Sequence, residues 1–381
     1  MSRVSIDERI LNWALERSGN AGAVQRKFPK LNQWLRGESL PTLPQLEAFA
    51  RATSTPLGFL FLPEPPIEKL PIPHFRTIGS EPSGKASVDL LETIQRMQRR
   101  QDWMREYLIE LSQEQLEFVN SAKISDSPES TSQKIKVALG LATGWASRLP
   151  TWTEALQLLQ RKTEDLGILL VVSGIVGNST RRKLDPNEFR GFVLIDEYAP
   201  VVFLNGADGK AAQMFTLAHE LAHVWFGSSA AFDLRGMQPA SDRTEIACDR
   251  VAAEFLVPTS ELRQLWPMIS NISDRFQRAA RQFKVSDIVA ARRALDLELI
   301  TKRQFFNFYE EYRAADRPAK GQSGGDFYLT QNRRLGLRFA EAVVHAVLES
   351  KLLYREAYRL TGLYGSTFQR YAESIMAGET L

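Results

Sequence analysis

The chain has 381 residues, 44% of them hydrophobic and 24% charged, with a formal net charge of +3. That length supports two or three domains with at least one sizeable core, and so small a charge makes any nucleic-acid contact a matter of local patches. A single cysteine, Cys248, excludes an intrachain disulfide and fits a reducing compartment.

The opening stretch MSRVSIDERILNWALERSG has no apolar signal core. No apolar run approaches the roughly 20 residues that span a bilayer, so a cytoplasmic protein without membrane contact is expected. Apolar Ile6, Ile10, Leu11, Ala14 and Leu15 recur at helical spacing, and Gly19 follows as a stop. Short helices are predicted around 21–28 and 30–36, and another over PTLPQLEAFARATS with Thr42 as N-cap. Residues 1–62 thus read as a helical module. Prolines then favour extended backbone over a linker at 63–82, which holds His74, read as a surface histidine.

A helical connecting region is predicted over 83–160. It contains a long amphipathic helix at 86–112, an exposed serine-rich loop at 120–133, and a helix opened by the capping-box spacing of Thr151 and Glu154. The pattern then changes to short β-rich runs: GILLVVSGI (167–175), GFVLID (191–196) and PVVFLN (200–205). The last two are predicted to form a hairpin. GFVLID is either an internal strand or an edge that accepts an extended peptide by strand addition. Helices resume over 260–312, a glycine-rich break follows at 321–327, and the tail 335–381 is helical. The overall class is α+β: a mostly helical chain with a central domain over 161–320 and a C-terminal helical domain over 321–381.

Immediately after the strands stands KAAQMFTLAHELAHVWFG. On a helix, His219 and His223 lie one turn apart, about 6 Å, on one face, so both can reach a single tetrahedral ion. Glu220, beside the first of them, can take a proton from a water whose pKa the metal lowers. This is the metalloprotease reading of H-E-x-x-H. The flanking Phe215, Leu217, Ala218, Leu221, Ala222, Val224, Trp225 and Phe226 make the helix apolar almost all round, hence buried, and buried polar side chains need partners.

A third ligand is expected from the helix TEIACDRVAAEFLVP. Glu245 and Asp249 share a face, four residues apart. Glu245 is read as the ligand and Asp249 as the carboxylate that accepts a hydrogen bond from a ligating imidazole, with Glu254 as the fallback ligand. Cys248 is read as a small packing residue.

FTLAHELAHVWFG followed by EIACDRVAAEFLVP resembles the ImmA/IrrE family of zinc metallopeptidases, whose second motif runs Glu, two residues, Ala-Asn, one residue, Phe-Ala, two residues, Leu-Leu-Met-Pro. Glu245, Val251, Ala252 and Pro258 fall at the Glu, Phe, Ala and Pro positions; Cys248 stands for the usual Ala and Asp249 for the usual Asn. The resemblance covers roughly 165–260. It implies a minimal zincin fold, one zinc ion per chain, His219, His223 and Glu245 as ligands, Glu220 as base, and a regulatory protein, for instance a repressor, as substrate; the alternative reading is a non-proteolytic DNA-binding regulator or antitoxin-like component with a structural or vestigial metal site. A transition-state donor, such as Tyr198, is not identifiable.

AVQRKFPKLNQWLRGESLPTLPQLEAFARA resembles the end of a Cro/repressor-like helix-turn-helix domain through Trp34, Gly37, Pro41 and Thr42. Such domains place a helix in the major groove. Arg26, Lys27, Lys30 and Arg36 would then hold phosphates, and Asn32 and Gln33 would read base edges. The competing reading is a helical packing or dimerisation module with a solvated basic face. At the C-terminus, residues 352–375 could form a second helix-turn-helix, but near-balanced charge favours packing or interaction. His345, on a largely apolar helix, is expected in the core or at its boundary.

Overall fold

In the computed structural model, residues 3–68, 86–228, 230–232, 243–314 and 326–378 are described. The chain divides into two compact units, one built on residues 3–68 and 86–95, the other on residues 96–378.

The first unit begins with α1 (Glu8–Arg17), α2 (Ala21–Lys27), α3 (Leu31–Leu35) and α4 (Leu43–Ala52). The Asp7 side chain caps α1 by accepting from the Arg9 amide, and the Thr42 amide donates to the Gln45 side chain at the start of α4. Ile10, Leu11, Ala14, Val24, Leu31, Trp34, Leu46, Phe49 and Leu60 form its core. Arg26, Lys27, Lys30, Asn32, Gln33 and Arg36 are all exposed. The predicted linker is described only to Glu68, where Arg17 binds the glutamate carboxylate; His74 lies outside the described residues.

α5 (Val88–Glu110) follows the predicted amphipathic stretch and buries Leu90, Leu91, Ile94, Met97, Met104 and Leu108. The expected loop at 120–133 is corrected at its end: α6 (Pro128–Ala138) starts there. Ser127 accepts from the Ser130 amide as N-cap, and Pro128 fits the first turn, where its missing N–H costs nothing. α7 (Trp152–Asp165) opens at Thr151, whose hydroxyl accepts from the Glu154 amide.

β1 (Leu169–Ser173), β2 (Gly191–Leu194) and β3 (Val201–Asn205) occupy the three predicted runs. β2 and β3 pair antiparallel, with Phe192 opposite Phe203 and Val193 opposite Val202. β1 pairs parallel with β3, and a short strand that the sequence did not suggest, β4 (Ala230–Phe232), joins β2 antiparallel. The order is β1-β3-β2-β4, so β2 is internal; of the two readings of GFVLID, the edge is overturned. The sheet alternates by face. Leu170, Val193, Val202 and Leu204 pack into one core with α8 (Lys210–Phe226), while Phe192 and Phe203 stack at 4.9 Å on the opposite face.

α9 (Arg243–Leu256) packs against α8 and α6, and α10 (Thr259–Ile269), α11 (Arg275–Phe283), α12 (Asp287–Asp296) and α13 (Lys302–Ala314) continue the helical run. Most of the glycine-rich break lies outside the described residues. α14 (Phe327–Leu335), α15 (Leu337–Leu348), α16 (Tyr354–Thr361) and α17 (Gly365–Met376) complete the chain. His345 is exposed, neither in the core nor at its boundary as expected: with Glu341 and Leu348 it forms the solvent stripe of α15. No helix among the described residues is long and apolar enough to cross a membrane.

Candidate metal centre

The site is built on α8. Every side chain from Gln213 to Phe226 is buried, so this is the central helix of the domain. It ends at Gly227, which adopts a left-handed φ of 68° that glycine reaches without strain. Just before and beside that end, the amides of Asn120 and Ala122 donate to the carbonyls of Val224 and Trp225, satisfying groups the helix leaves open.

His219, Glu220 and His223 are each 0% exposed. The two Nε2 atoms lie 3.1 Å apart. α9 brings Glu245 to the same point: its Oε2 is 3.2 Å from His219 Nε2 and its Oε1 3.3 Å from His223 Nε2. The outer ring nitrogens are held separately. His219 Nδ1 is 3.0 Å from Asp249 Oδ1, and His223 Nδ1 is 2.9 Å from Ser228 Oγ. A carboxylate can only accept, so Nδ1 of His219 carries the proton, and its Nε2 in the neutral ring is a bare lone pair.

The Nε2 lone pair of His219 and the Glu245 carboxylate therefore face one another, with His223 Nε2 beside them, in a dry interior, an arrangement that a proton or a cation between them completes. Without a metal a proton serves. Burial opposes charge on His219, but hydrogen bonds to Asp249 and Glu245 outweigh it and raise the imidazole to about 10. Burial pushes His223 down, against the hydrogen bond to Glu245, and the charge on His219 lowers it further. Burial also opposes charge on Glu245, yet hydrogen bonds from both histidines hold its carboxyl below the ordinary carboxylate range. Glu220 differs. Both its oxygens are buried without a hydrogen-bond partner among the described residues, and burial raises its carboxyl well above the usual value.

The donor set fits a zinc ion: two imidazoles and a carboxylate are among its ordinary ligands. The outer partners on Asp249 and Ser228 are those that orient ligating imidazoles. Cys248, also buried, lies close: a ligand atom from each of His219, His223 and Cys248 falls within 4.8 Å of the others.

The fallback ligand Glu254 is placed elsewhere. Its carboxylate accepts from the Thr259 amide and hydroxyl at 3.0 and 2.6 Å and forms a short ion pair with Arg293. Tyr198 rests against the Arg105 guanidinium, 5.9 Å from ring centre. Two contributors escaped the sequence reading. Ser228 reaches His223 only because the chain reverses at Gly227. Gly191 lets β2 approach the helix: a Cβ there would stand 2.6 Å from Thr216 Cγ2 and 3.3 Å from Glu220 Oε1.

Comparison with curated proteins gives no match. Residues 335–374, spanning α15 to α17, match a domain family of unknown function, DUF8813. Residues 163–295, the segment that carries the sheet, α8, α9 and this site, match the M78 peptidase family model described as the IrrE N-terminal-like domain.

Proposed function

We propose that this protein is a zinc-dependent endopeptidase that acts on a regulatory protein, a repressor for example. The observation that carries this is the convergence of His219 Nε2, His223 Nε2 and the Glu245 carboxylate at 3.1–3.3 Å beside the buried Glu220, which has no hydrogen-bond partner among the described residues. His219, His223 and Glu245 would hold one zinc ion, which supplies Lewis-acid polarisation of a carbonyl and an acidified water. Asp249 and Ser228 hold the rings, so that both Nε2 atoms point inward, and Asp249 keeps the Nε2 of His219 free to accept. Glu220, in a dry pocket that raises its proton affinity, accepts the proton of the attacking water and returns it to the leaving amine. A structural metal site has no need of such a carboxyl. Among the described residues β4 is the outer strand on this side of the sheet, and an extended peptide could pair along it.

The N-terminal module would bring the enzyme to DNA or to a DNA-bound repressor. Its exposed Arg26, Lys27, Lys30 and Arg36 are suited to phosphates, and Asn32 and Gln33 to base edges.

Metal content of the purified wild type, of Glu220→Gln and of Glu245→Gln tests the centre. Stoichiometric zinc is expected in the first two and its loss in the third, with Glu220→Gln then serving as a substrate trap. If none of the three holds metal after zinc supplementation, the peptidase reading fails.

A further inference from the structure

α9 carries Glu245, Cys248 and Asp249 at spacings of three and four, which aligns them along one side of the helix. Two of them are already placed against the histidines, Glu245 at Nε2 of both rings and Asp249 at Nδ1 of His219. Cys248, one turn on from Glu245 and flanking it on the side away from Asp249, is 0% exposed. Packing alone would be served by any small side chain. What the thiol adds is a soft donor atom within 4.8 Å of a ring nitrogen of each histidine. A second feature marks this space as built for a charged ligand: Glu220, fully buried, has no hydrogen-bond partner for either oxygen among the described residues.

Tetrahedral zinc needs four donors, and His219, His223 and Glu245 provide three. With bonds of ordinary length, a sulfur and a nitrogen on one zinc ion stand about 3.6 Å apart. The present separation, at most 4.8 Å, is within roughly 1 Å of that value. Thiolate sulfur binds zinc well, and the thiol gives up its proton when it does so.

We infer that Cys248 Sγ is a fourth ligand of the metal, so that in the resting protein His219, His223, Glu245 and Cys248 together close the coordination sphere. This rests on the metal reading of the site and adds its regulation. As the sulfur–metal bond forms, the S–H bond breaks and the proton leaves to solvent; nothing is oxidised or reduced. The position that a water must occupy for hydrolysis is then held by the thiolate. Glu220 has no water to deprotonate until that sulfur is displaced. The class with an open fourth position is catalytic and the class with four protein donors is closed; Cys248 lets one chain pass between them.

The test is X-ray absorption at the zinc edge on the full-length, zinc-loaded protein, with zinc per chain measured on the same samples. Wild type is expected to show a sulfur neighbour at about 2.3 Å. Cys248→Ala is expected to keep its zinc and lose that neighbour. Cobalt-loaded protein gives a second readout, a sulfur-to-metal charge-transfer band in the near ultraviolet that vanishes in Cys248→Ala and in Cys248→Ser. Only nitrogen and oxygen neighbours in zinc-loaded wild type would overturn the proposal and leave the His219–His223–Glu245 centre standing. A sulfur neighbour that persists in Cys248→Ala would overturn it as well. Wild type that binds no zinc removes the metal reading itself, and the proposal falls with it.

Discussion

Asp249 and Ser228 touch the imidazoles from outside, and their effect is on where the inner nitrogens point. Replacing such a partner weakens metal binding by about 10–100-fold in comparable sites. Asp249→Ala is expected to fall in that range. Ser228→Ala should lie at its lower end, because a hydroxyl is a weaker partner than a carboxylate. Titration against a chelator of known affinity reads both; unchanged affinity in Asp249→Ala would show that His219 is oriented without it. Glu220→Gln is expected to bind zinc as the wild type does and to lose about 10²–10⁴-fold in peptide hydrolysis, the usual share of a general base. At this scale helical periodicity alone puts His219 and His223 on one face of α8 and Glu245 and Asp249 on one face of α9, but it does not say that the two faces meet. Ser228 was not legible in the sequence. Its contact depends on one left-handed residue, Gly227, and periodicity carries no information past a helix end. Glu254 was misplaced for a different reason: its partner Arg293 lies on α12, and no local pattern announces that pairing.

The elements around the site are held by two features that a single substitution would expose. Gly191 permits β2 to lie against α8, where an added methyl would meet Thr216 Cγ2 at 2.6 Å and the Phe203 carbonyl at 2.8 Å. Neither neighbour is the free end of a flexible chain, so helix or strand must shift. Gly191→Ala is expected to cost about 1–3 kcal/mol in denaturant unfolding and, by moving Glu220, to lower hydrolysis more than zinc affinity. Equal losses in both would mean that the whole centre moves as a block. The second feature is the Arg293–Glu254–Thr259 cluster. Arg293 donates to the Val257 carbonyl at 3.0 Å and to Thr259 Oγ1 at 2.9 Å, which ties α12 to the junction of α9 and α10. Arg293→Ala leaves Glu254 buried and unpaired, at a cost of about 3–5 kcal/mol; Arg293→Ala with Glu254→Gln should recover part of that stability. The strands of this region were readable from their β-branched runs, and the hairpin from the short link between two of them. Their order was not. β4 is three residues long, too short for any alternation to register, yet it converts β2 from an edge to an interior strand. The start of α6 was hidden by serines that read as loop, although Ser127 and Pro128 are themselves helix-opening residues.

For the molecule as a whole, the metal centre couples pH, metal and stability. In the metal-free protein His219 holds its proton up to about 10, against 6.5 for an unconstrained histidine. A group whose pKa is raised on folding stabilises the fold fully below its unfolded value and loses that contribution as pH rises through the folded one. The metal-free protein is therefore expected to lose stability from pH 6.5 toward pH 10 through this histidine. Zinc reverses the trend. Binding must expel the proton from His219, so apparent affinity should climb by at least about tenfold per pH unit below the folded pKa, and more steeply where the Cys248 thiol also gives up its proton. Bound metal at a thousandfold excess over its Kd adds about 4 kcal/mol to the unfolding free energy. The rise in melting temperature on adding zinc to metal-free protein should accordingly be larger at pH 8 than at pH 6, at one total zinc concentration. Scanning calorimetry at the two pH values, with Glu245→Gln as the control that removes the site, checks the sign. A zinc-induced shift equal at both pH values, or larger at pH 6, would mean that no proton leaves His219 when metal enters, and that the lone pairs facing one another between α8 and α9 are not where the ion is held.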